Sequence, residues 1–262
     1  MPAKTQKTVL VPTKDGKSLE GLLHQPTGSG PFPAVLFVSG LGMTMHEGNN
    51  SFDEIAQRLG EKGILTLEFQ FPIFLENDIC RELPLTQRAY LTAAALQYLR
   101  QRHAVDRNRI GVIAQSYGAA TVLGMDTSAV KTVALISGAW FPKNSIVNVY
   151  KEKGVVINYE GDTSLPRSSG ENTTVGKEFW EDIEHFDTLE QAEKLHMPVL
   201  IIHGNKDSKV PVSDAEKVFA SIPSKNKKLK IFRGGDHGIV NVPRVMRGEF
   251  VGDLISWFQE TL

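Results

Sequence analysis

The stretch from Arg109 to Met125 constrains the fold of this chain more strongly than any other part of its sequence. It opens with a short apolar run at residues 110–113, which is typical of a buried parallel strand. Small apolar residues follow position 118, as expected of a helix that packs closely on a sheet. Residues 114–118 between them read Ala-Gln-Ser-Tyr-Gly. This succession of a strand, a tight turn with small residues around a central serine, and a helix predicts that Ser116 lies in a strained turn at the carboxyl end of a buried strand.

Short apolar runs alternate with helical patterns along most of the chain. Asp15-Gly16 lies between two alternating runs and predicts an N-terminal hairpin. The predicted later strands cover residues 34–38, 64–69, 109–114, 131–137, 198–203 and 228–232, and the predicted helices cover 51–62, 84–102, 213–222 and 244–259. This alternation predicts an α/β fold with a mostly parallel central sheet and helices on both faces.

The alternation stops between residues 139 and 195, where glycines and polar clusters stand beside several aromatic residues. A structureless loop of this length is improbable inside a compact domain. We therefore interpret residues 139–195 as a small cap inserted into a single domain that spans residues 1–262. Aromatic residues of this segment, Trp140 and Trp180 among them, are candidates for lining an apolar ligand pocket, although for any single one of them packing of the cap onto the body is the favoured interpretation.

Composition excludes several classes of function. The 262 residues include 29 basic and 30 acidic ones, and this balance gives no sign of a nucleic-acid or anionic-membrane partner. The single cysteine, Cys80, cannot form an internal disulfide, which suits a reducing compartment. The N-terminus has no apolar signal region, and no apolar run approaches the length of a membrane span. We therefore expect a soluble, cytoplasmic protein.

Glycine-rich or polar loops follow four of the predicted strands. Residues 39–43 read Ser-Gly-Leu-Gly-Met, and Ser116, Asp207 and His237 each follow a strand of their own. Met45 stands where a dinucleotide-binding G-x-G-x-x-G motif needs its third glycine, so we reject that interpretation. Ligands bind at the carboxyl ends of parallel strands, and we expect these loops to meet there.

The residue types in these loops are suited to nucleophilic catalysis. A serine hydroxyl needs a base within hydrogen-bond reach, and the base needs an orienting partner. His237 is the candidate base because imidazole titrates near neutrality, and Asp207 is the candidate carboxylate that holds its tautomer. The nucleophile would be Ser116. The backbone N–H groups of Leu41 and Tyr117 are candidates for binding the oxyanion of the intermediate.

Other histidines and carboxylates have weaker claims to a role. Asp236 adjoins the candidate base, but in most backbone geometries its side chain points elsewhere. His203 lies at a strand end and is interpreted as structural, whereas His46 is close enough to the glycine-rich loop to contact a substrate. The candidate ligand residues are spread through the chain without tight spacing, so we expect neither a metal nor an organic cofactor.

Four of these motifs resemble those of the α/β-hydrolase superfamily. They are Ala-Gln-Ser-Tyr-Gly at 114–118, Ser-Gly-Leu-Gly at 39–42, His-Gly-Asn-Lys-Asp-Ser-Lys-Val-Pro at 203–211 and Gly-Gly-Asp-His-Gly at 234–238. The last two are similar to those of small esterases and of the hydrolase domains of acyl-peptide-type peptidases. The cap looks like that of bacterial cinnamoyl and feruloyl esterases in place and length. The sequence departs from the family pattern at two positions. Ala114 stands where the turn at residues 114–118, called the nucleophile elbow, usually begins with glycine, and Ser39 stands where many relatives have histidine before the loop glycine. Neither departure removes a catalytic group.

The resemblance implies a serine hydrolase that cleaves a small-molecule carboxylic ester through an acyl-enzyme, with the chain order serine, aspartate, histidine. The aromatic residues of the cap fit an aromatic or short-chain acyl group. A peptidase or amidase, a thioesterase or an acyltransferase could use the same triad, and a non-catalytic binding protein could share the fold. A dienelactone-type hydrolase would need cysteine at position 116, and a dehalogenase would need aspartate there. The serine at this position therefore argues against both classes. The oligomeric state stays open, a homodimer included.

Overall fold

An eight-stranded sheet forms the centre of the protein, whose computed structural model describes residues 5–73, 79–166 and 172–262. The strands of the chain are β1 (Thr5–Pro12), β2 (Ser18–Gln25), β3 (Phe32–Val38), β4 (Leu65–Phe69), β5 (Ile79–Arg81), β6 (Val105–Gln115), β7 (Thr132–Ile136), β8 (Thr163–Pro166), β9 (Asn172–Val175), β10 (Val199–Gly204) and β11 (Lys227–Phe232). The central sheet has the order β1-β2-β4-β3-β6-β7-β10-β11. Only β1 with β2 and β2 with β4 pair antiparallel in it. The predicted hairpin and the mostly parallel sheet are confirmed.

Helices cover both faces of this sheet. They are α1 (Ser51–Glu61), α2 (Leu85–Arg100), α3 (Tyr117–Leu123), α4 (Pro142–Glu152), α5 (Lys177–Glu184), α6 (Thr188–Ala192), α7 (Val212–Ser221) and α8 (Arg244–Thr261). Successive strand side chains point to opposite faces. Phe37 therefore packs with α1 and α8, whereas Leu36 belongs to the core under α2, α3, α6 and α7. None of the helices in the described ranges has the length and apolar character needed to cross a membrane.

A smaller, three-stranded sheet lies over the loops of the central one. Its order is β5-β9-β8, with β5 parallel and β8 antiparallel to β9. The predicted cap supplies β8 and β9, but β5 comes from a segment before α2 that carries no strand pattern. Tyr117 at the start of α3 packs against Phe179 of α5, with ring centroids 5.5 Å apart. This contact joins the small layer to the turn that carries Ser116.

Candidate active site

Ser116 occupies a strained turn between β6 and α3. Its backbone angles, φ 55° and ψ −120°, lie in a region that L-amino acids rarely adopt. Gly118 makes the turn possible, because a Cβ at this position would lie 2.3 Å from the Val38 carbonyl oxygen and 2.7 Å from that of Ser39. The helix can therefore start directly against the end of β3. This geometry puts the serine on the wall of a cavity.

Two backbone N–H groups beside Ser116 are placed to donate to a ligand in the cavity. Within the described ranges, neither the Leu41 N–H nor the Tyr117 N–H makes a hydrogen bond. The N–H groups that flank Leu41 are occupied, since Gly40 donates to Glu47 at 2.7 Å and Gly42 donates to a carboxylate at 2.5 Å. The Leu41 and Tyr117 donors are therefore available to a substrate oxygen, as an oxyanion hole requires.

A buried ion pair holds the loop at residues 39–42, here called the oxyanion loop. Arg88 and Glu82 are fully buried, and the Arg88 Nη1 donates to Glu82 Oε1 at 2.8 Å. The Glu82 carboxylate also accepts from the Gly42 N–H, and Arg88 donates to the Ser39 carbonyl oxygen. The guanidinium carbon lies 3.8 Å from the centre of the Phe71 ring. The pair thus fixes both ends of the loop, a role that the sequence patterns did not reveal.

The loop that follows β10 and the loop that follows β11 are in close backbone contact. A Cβ at Gly204 would lie 2.3 Å from the Gly235 carbonyl oxygen, and the Lys206 N–H donates to that same oxygen at 2.9 Å. This close approach brings the His237 Nδ1 to 2.8 Å from the Asp207 Oδ2. His237 therefore has its Nε2 available for another partner.

The Asp207 carboxylate is buried, and hydrogen bonds within the protein satisfy both of its oxygens. Its Oδ1 accepts from the backbone N–H groups of Lys209 at 2.9 Å and Val210 at 3.0 Å. Burial alone would raise the pKa of Asp207, but the hydrogen bond and charge of His237 outweigh burial and lower it. Asp236 instead accepts from the backbone N–H groups of the turn that follows it. Asp207 and Asp236 therefore have different hydrogen-bond partners, and within the described residues only Asp207 bonds to the His237 ring.

His203 lies directly behind the Asp207 carboxylate. The Nε2 of this buried histidine is 3.0 Å from the Val210 carbonyl oxygen and 3.4 Å from the Asp207 Oδ2, while its Nδ1 accepts from the indole N–H of Trp140 at 3.4 Å. Burial lowers the pKa of His203, which favours the neutral ring. Since the indole can only donate, the ring proton resides on Nε2. His203 therefore supports the carboxylate from the interior.

A cavity of about 520 Å³ opens beside Ser116 and His237. Its apolar wall is aliphatic and comes from both layers, namely Leu41, Met43, Ile146, Val149, Leu165 and Val210. Among the cavity-lining residues that the structure describes, none is phenylalanine, tyrosine or tryptophan. Lys153 and Lys209 add positive charge to the same cavity. No hydrogen bond joins Ser116 to His237 directly in the described chain, and such contacts commonly tighten only when substrate binds.

Trp140, Trp180 and His46 are not among the residues that line this cavity, so the geometry does not support the expectation that they contact substrate, which stays a prediction. Trp140 is fully buried and supports His203. Trp180 packs edge-on against other cap rings, with ring centroids 5.2–5.8 Å apart. His46 pairs with Asp53 instead. Aromatic composition alone does not distinguish a residue that lines a pocket from one that packs behind its wall.

Glu47 is a cavity-lining residue that sequence reasoning missed. Its backbone φ of 57° is unusual for a side-chain-bearing residue, and its carboxylate is buried against the oxyanion loop. Burial raises the pKa of Glu47 to about 7, although hydrogen bonds from the Gly40 and Gly48 N–H groups oppose the rise. An acidic residue in a glycine-rich loop carries no distinctive sequence signal, so only the fold reveals this contact.

Two family models match this chain. The model described as esterase FrsA-like matches residues 2–140, which is more than half of the 262 residues. The model described as serine aminopeptidase, S33 matches residues 178–243. The first match contains the elbow and the oxyanion loop, and the second contains the candidate acid and base.

Curated relatives are hydrolases of greater length. The chain is 26% identical to 2,6-dihydropseudooxynicotine hydrolase of Paenarthrobacter nicotinovorans, over 97% of this chain and 65% of that protein. It is 26% identical to esterase EstD of Thermotoga maritima, over 85% of this chain and 58% of that protein. It is 35% identical to esterase FrsA of Yersinia pestis, over 50% of this chain and 32% of that protein. The chain thus spans less than two thirds of the length of these relatives.

Solved structures share the architecture. Est1E from Butyrivibrio proteoclasticus superposes with a TM-score of 0.78 at 18% identity, over 97% of this chain and 98% of that one. The esterase domain of a Rhodothermus marinus protein superposes with a TM-score of 0.70 at 19% identity, over 98% of both chains. These likenesses establish the α/β-hydrolase fold. The match of the FrsA-like model over residues 2–140 shows that the chain belongs to the FrsA-like esterase family.

Proposed function

We propose that this protein hydrolyses carboxylic esters through an acyl-enzyme formed on Ser116. The observation that carries the proposal is the Asp207–His237 pair, with its Nδ1 to Oδ2 distance of 2.8 Å, whose histidine lines the same cavity as the strained serine. The available N–H donors of Leu41 and Tyr117 beside that serine add the second element that acyl transfer needs.

The reaction proceeds in two halves. The Ser116 Oγ attacks the ester carbonyl carbon while the His237 Nε2 takes its proton, and the Leu41 and Tyr117 N–H groups stabilise the resulting oxyanion. The protonated His237 then gives this proton to the leaving alcohol oxygen, and the acyl group remains on the serine. In the second half His237 takes a proton from water, the resulting hydroxide attacks the acyl carbon, and the serine oxygen leaves and regains the proton. Asp207 stays ionised throughout and stabilises the imidazolium.

The cavity favours an apolar acyl group of modest size. Its aliphatic wall and its volume of about 520 Å³ suit a short-chain or single-ring acyl group. A structure of Est1E with ferulic acid bound has the same fold, with a TM-score of 0.79 at 18% identity, and supports including feruloyl esters among the candidates. Lys153 and Lys209 in the cavity would favour an ester that carries a negative charge or a phenol oxygen.

A peptidase or amidase is the second candidate function. The match of residues 178–243 to the serine aminopeptidase model favours it, because this segment contains Asp207 and His237. Thioesterase and acyltransferase reactions use the same groups and differ only in the leaving group and the acceptor.

Two measurements test the proposal. A fluorophosphonate probe should label the folded protein at Ser116, and Ser116→Ala should abolish labelling. A panel of nitrophenyl esters of increasing acyl length, methyl ferulate, an acyl thioester and an aminoacyl anilide then ranks the substrate classes by kcat/KM. Absence of labelling would remove the serine-hydrolase proposal, and cleavage of the anilide alone would replace the esterase with a peptidase.

A further inference from the structure

A second cluster of histidine and carboxylate side chains lies away from the cavity, between α1 and the sheet. It consists of His46, Asp53 and Glu68, each of which offers one ligand atom within 4.8 Å of the others. Asp53 lies in the first turn of α1, His46 in the loop before it and Glu68 on β4. None of the three lines the cavity that contains Ser116.

Strand register places a fourth group beside this cluster. His24 of β2 pairs with Thr66 of β4, and Leu22 pairs with Glu68. His24 and Glu68 therefore point to the same face of the sheet, the face that α1 covers. The His24 Nε2 lies 3.2 Å from the Glu68 Oε1, an ion-pair contact without hydrogen-bond geometry.

Glu68 is the feature of the cluster that calls for a cation. Its side chain is fully buried, and neither carboxylate oxygen has a hydrogen-bond partner within the described part of the chain. Leaving a carboxylate in this condition is costly, and buried charges in proteins are paired or coordinate metals. The buried Glu82 offers the contrast, because its carboxylate accepts from Arg88 and from two backbone N–H groups.

The remaining ligands provide access and a suitable donor set. His46 and Asp53 are about one third exposed, so an ion can reach the cluster from solvent. The His46 Nδ1 lies 2.8 Å and 3.0 Å from the two Asp53 oxygens, so the side chains already converge. Imidazole nitrogens combined with two carboxylates are typical of Zn²⁺ and neighbouring transition metals, whereas Mg²⁺ and Ca²⁺ prefer oxygen alone.

We propose that His46, Asp53 and Glu68 bind one divalent transition-metal ion of the zinc class, with His24 as the fourth donor. Ligand atoms around a tetrahedral Zn²⁺ are about 3.4 Å apart, which follows from bond lengths of about 2.1 Å. The ligand atoms of the three residues are now up to 4.8 Å apart, and rotation of the partly exposed His46 and Asp53 side chains brings them to this distance. Two carboxylates neutralise the charge of the ion. The metal has a structural role, because it joins the loop before α1 to β4.

The metal would also support the loop next to the candidate active site. His46 directly precedes Glu47, whose carboxylate accepts from the Gly40 N–H at 2.7 Å. Fixing His46 to β4 therefore restrains the residue that holds the oxyanion loop. This consequence rests on the proposed function, whereas metal binding itself does not.

Metal binding is measured on the full chain after chelator treatment and dialysis. We expect isothermal titration with Zn²⁺ to give one site per chain, and Co²⁺ to give the visible absorption of a four-coordinate ion. Glu68→Gln keeps the shape of the buried side chain and should weaken Zn²⁺ binding at least about 100-fold. His46→Ala should do the same, whereas the exposed His103→Ala is the matched control and should bind as the parent does. Mg²⁺ and Ca²⁺ should not compete at equal concentration.

Ser116→Ala separates this proposal from the proposed function, since it should bind Zn²⁺ like the parent while it loses hydrolysis. Circular dichroism checks the fold of each variant, and Asp53→Asn provides a partly exposed alternative should Glu68→Gln not fold. The proposal is overturned if the parent shows no stoichiometric site. It is also overturned if a folded Glu68→Gln or Asp53→Asn binds Zn²⁺ as tightly as the parent, because the ion would then occupy surface histidines only.

Discussion

Two histidine–carboxylate pairs in this protein have the same short contact but different surroundings. His237 Nδ1 lies 2.8 Å from Asp207, and His46 Nδ1 lies 2.8 Å from Asp53. The first carboxylate is fully buried and accepts two further backbone hydrogen bonds. The second carboxylate and its histidine are each about one third exposed.

The third group near each pair decides what the pair can do. Beside His237 the cavity holds a serine in a strained turn and two unused backbone donors, which suits proton transfer to and from a nucleophile. Beside His46 lies the buried Glu68, which can accept a cation but cannot act as a nucleophilic hydroxyl. A histidine–carboxylate distance alone is therefore poor evidence for catalysis.

Replacing each histidine gives the largest contrast between the two pairs. His237→Ala should lower kcat for a nitrophenyl ester by about 10⁴- to 10⁶-fold, because the base and the acid of both half-reactions are lost. His46→Ala should lower it by no more than about fivefold, since this side chain does not line the cavity. Steady-state kinetics of both variants measure the ratio. A His46→Ala loss comparable to that of His237→Ala would contradict the assignment.

Replacing the carboxylates of the two pairs should lower kcat unequally, in the same direction as replacing the histidines. Asp207→Asn should reduce kcat by about 10³- to 10⁴-fold, because the amide no longer selects the correct tautomer of His237 or stabilises its charge. Asp53→Asn is the matched control and should leave kcat within a few-fold of the parent. The pH dependence of kcat/KM for Asp207→Asn should also differ from that of the parent. Equal losses for both variants would mean that neither pair has been assigned correctly.

Mutation of a buried charged side chain should lower the free energy of unfolding where hydrogen bonds satisfy the charge and raise it where they do not. Arg88→Ala should lower the free energy of unfolding by about 3–5 kcal/mol, because Glu82 and the Ser39 carbonyl lose their buried donor. Urea unfolding at pH 7.5 measures this loss. A cost below about 1 kcal/mol would show that water replaces the guanidinium and that the ion pair does not hold the oxyanion loop.

Glu68→Gln should instead stabilise the metal-free protein by about 1 kcal/mol at pH 8, since it removes a buried charge that accepts no hydrogen bond within the described residues and has only an ion-pair contact with His24 among them. Zn²⁺ at 100 times its dissociation constant should stabilise the parent by about 2.7 kcal/mol and the variant much less. The order of stability would then reverse on adding metal, and thermal unfolding with and without Zn²⁺ follows this reversal. An unchanged order would argue against the metal site.

The smallest expected effect concerns His203. Burial lowers the pKa of this histidine in the folded protein below its unfolded value, so the unfolded chain binds more protons below about pH 6.5. The stability contributed by neutral His203 is therefore present at pH 7.5 and is lost as the pH falls. His203→Gln cannot titrate and should lose less stability than the parent between pH 7.5 and pH 5.5. Identical pH slopes in urea unfolding would contradict this assignment.

The candidate site could be predicted wherever its signals are local in sequence. The elbow around Ser116, with its small residues at both ends, predicts its own strain, and the structure gives this serine a φ of 55°. Asp207 and His237 follow their strands closely, so parallel-sheet topology was sufficient to predict that they meet. These predictions needed no knowledge of side-chain packing.

Contacts between distant side chains could not be predicted in this way. Arg88 stands on the buried face of α2, where a helical pattern predicts an apolar residue, and its partners lie on three other segments. Glu68 meets His46 only because of strand register and the path of the loop before α1. Trp140 and Trp180 illustrate the converse, because aromatic residues in a predicted cap can pack into a hydrophobic core as readily as they line a pocket.

The most direct test of the central claim is the mass of the enzyme during turnover. The enzyme is mixed with an excess of a nitrophenyl ester, the reaction is quenched in acid within milliseconds to seconds, and the masses of the intact protein and of its peptides are measured by mass spectrometry. We predict one acyl group per chain on the peptide that contains Ser116 in the parent, its accumulation when His237→Ala acts on an activated ester, and its absence in Ser116→Ala. Turnover without an adduct, or an adduct on any other residue, would contradict the account.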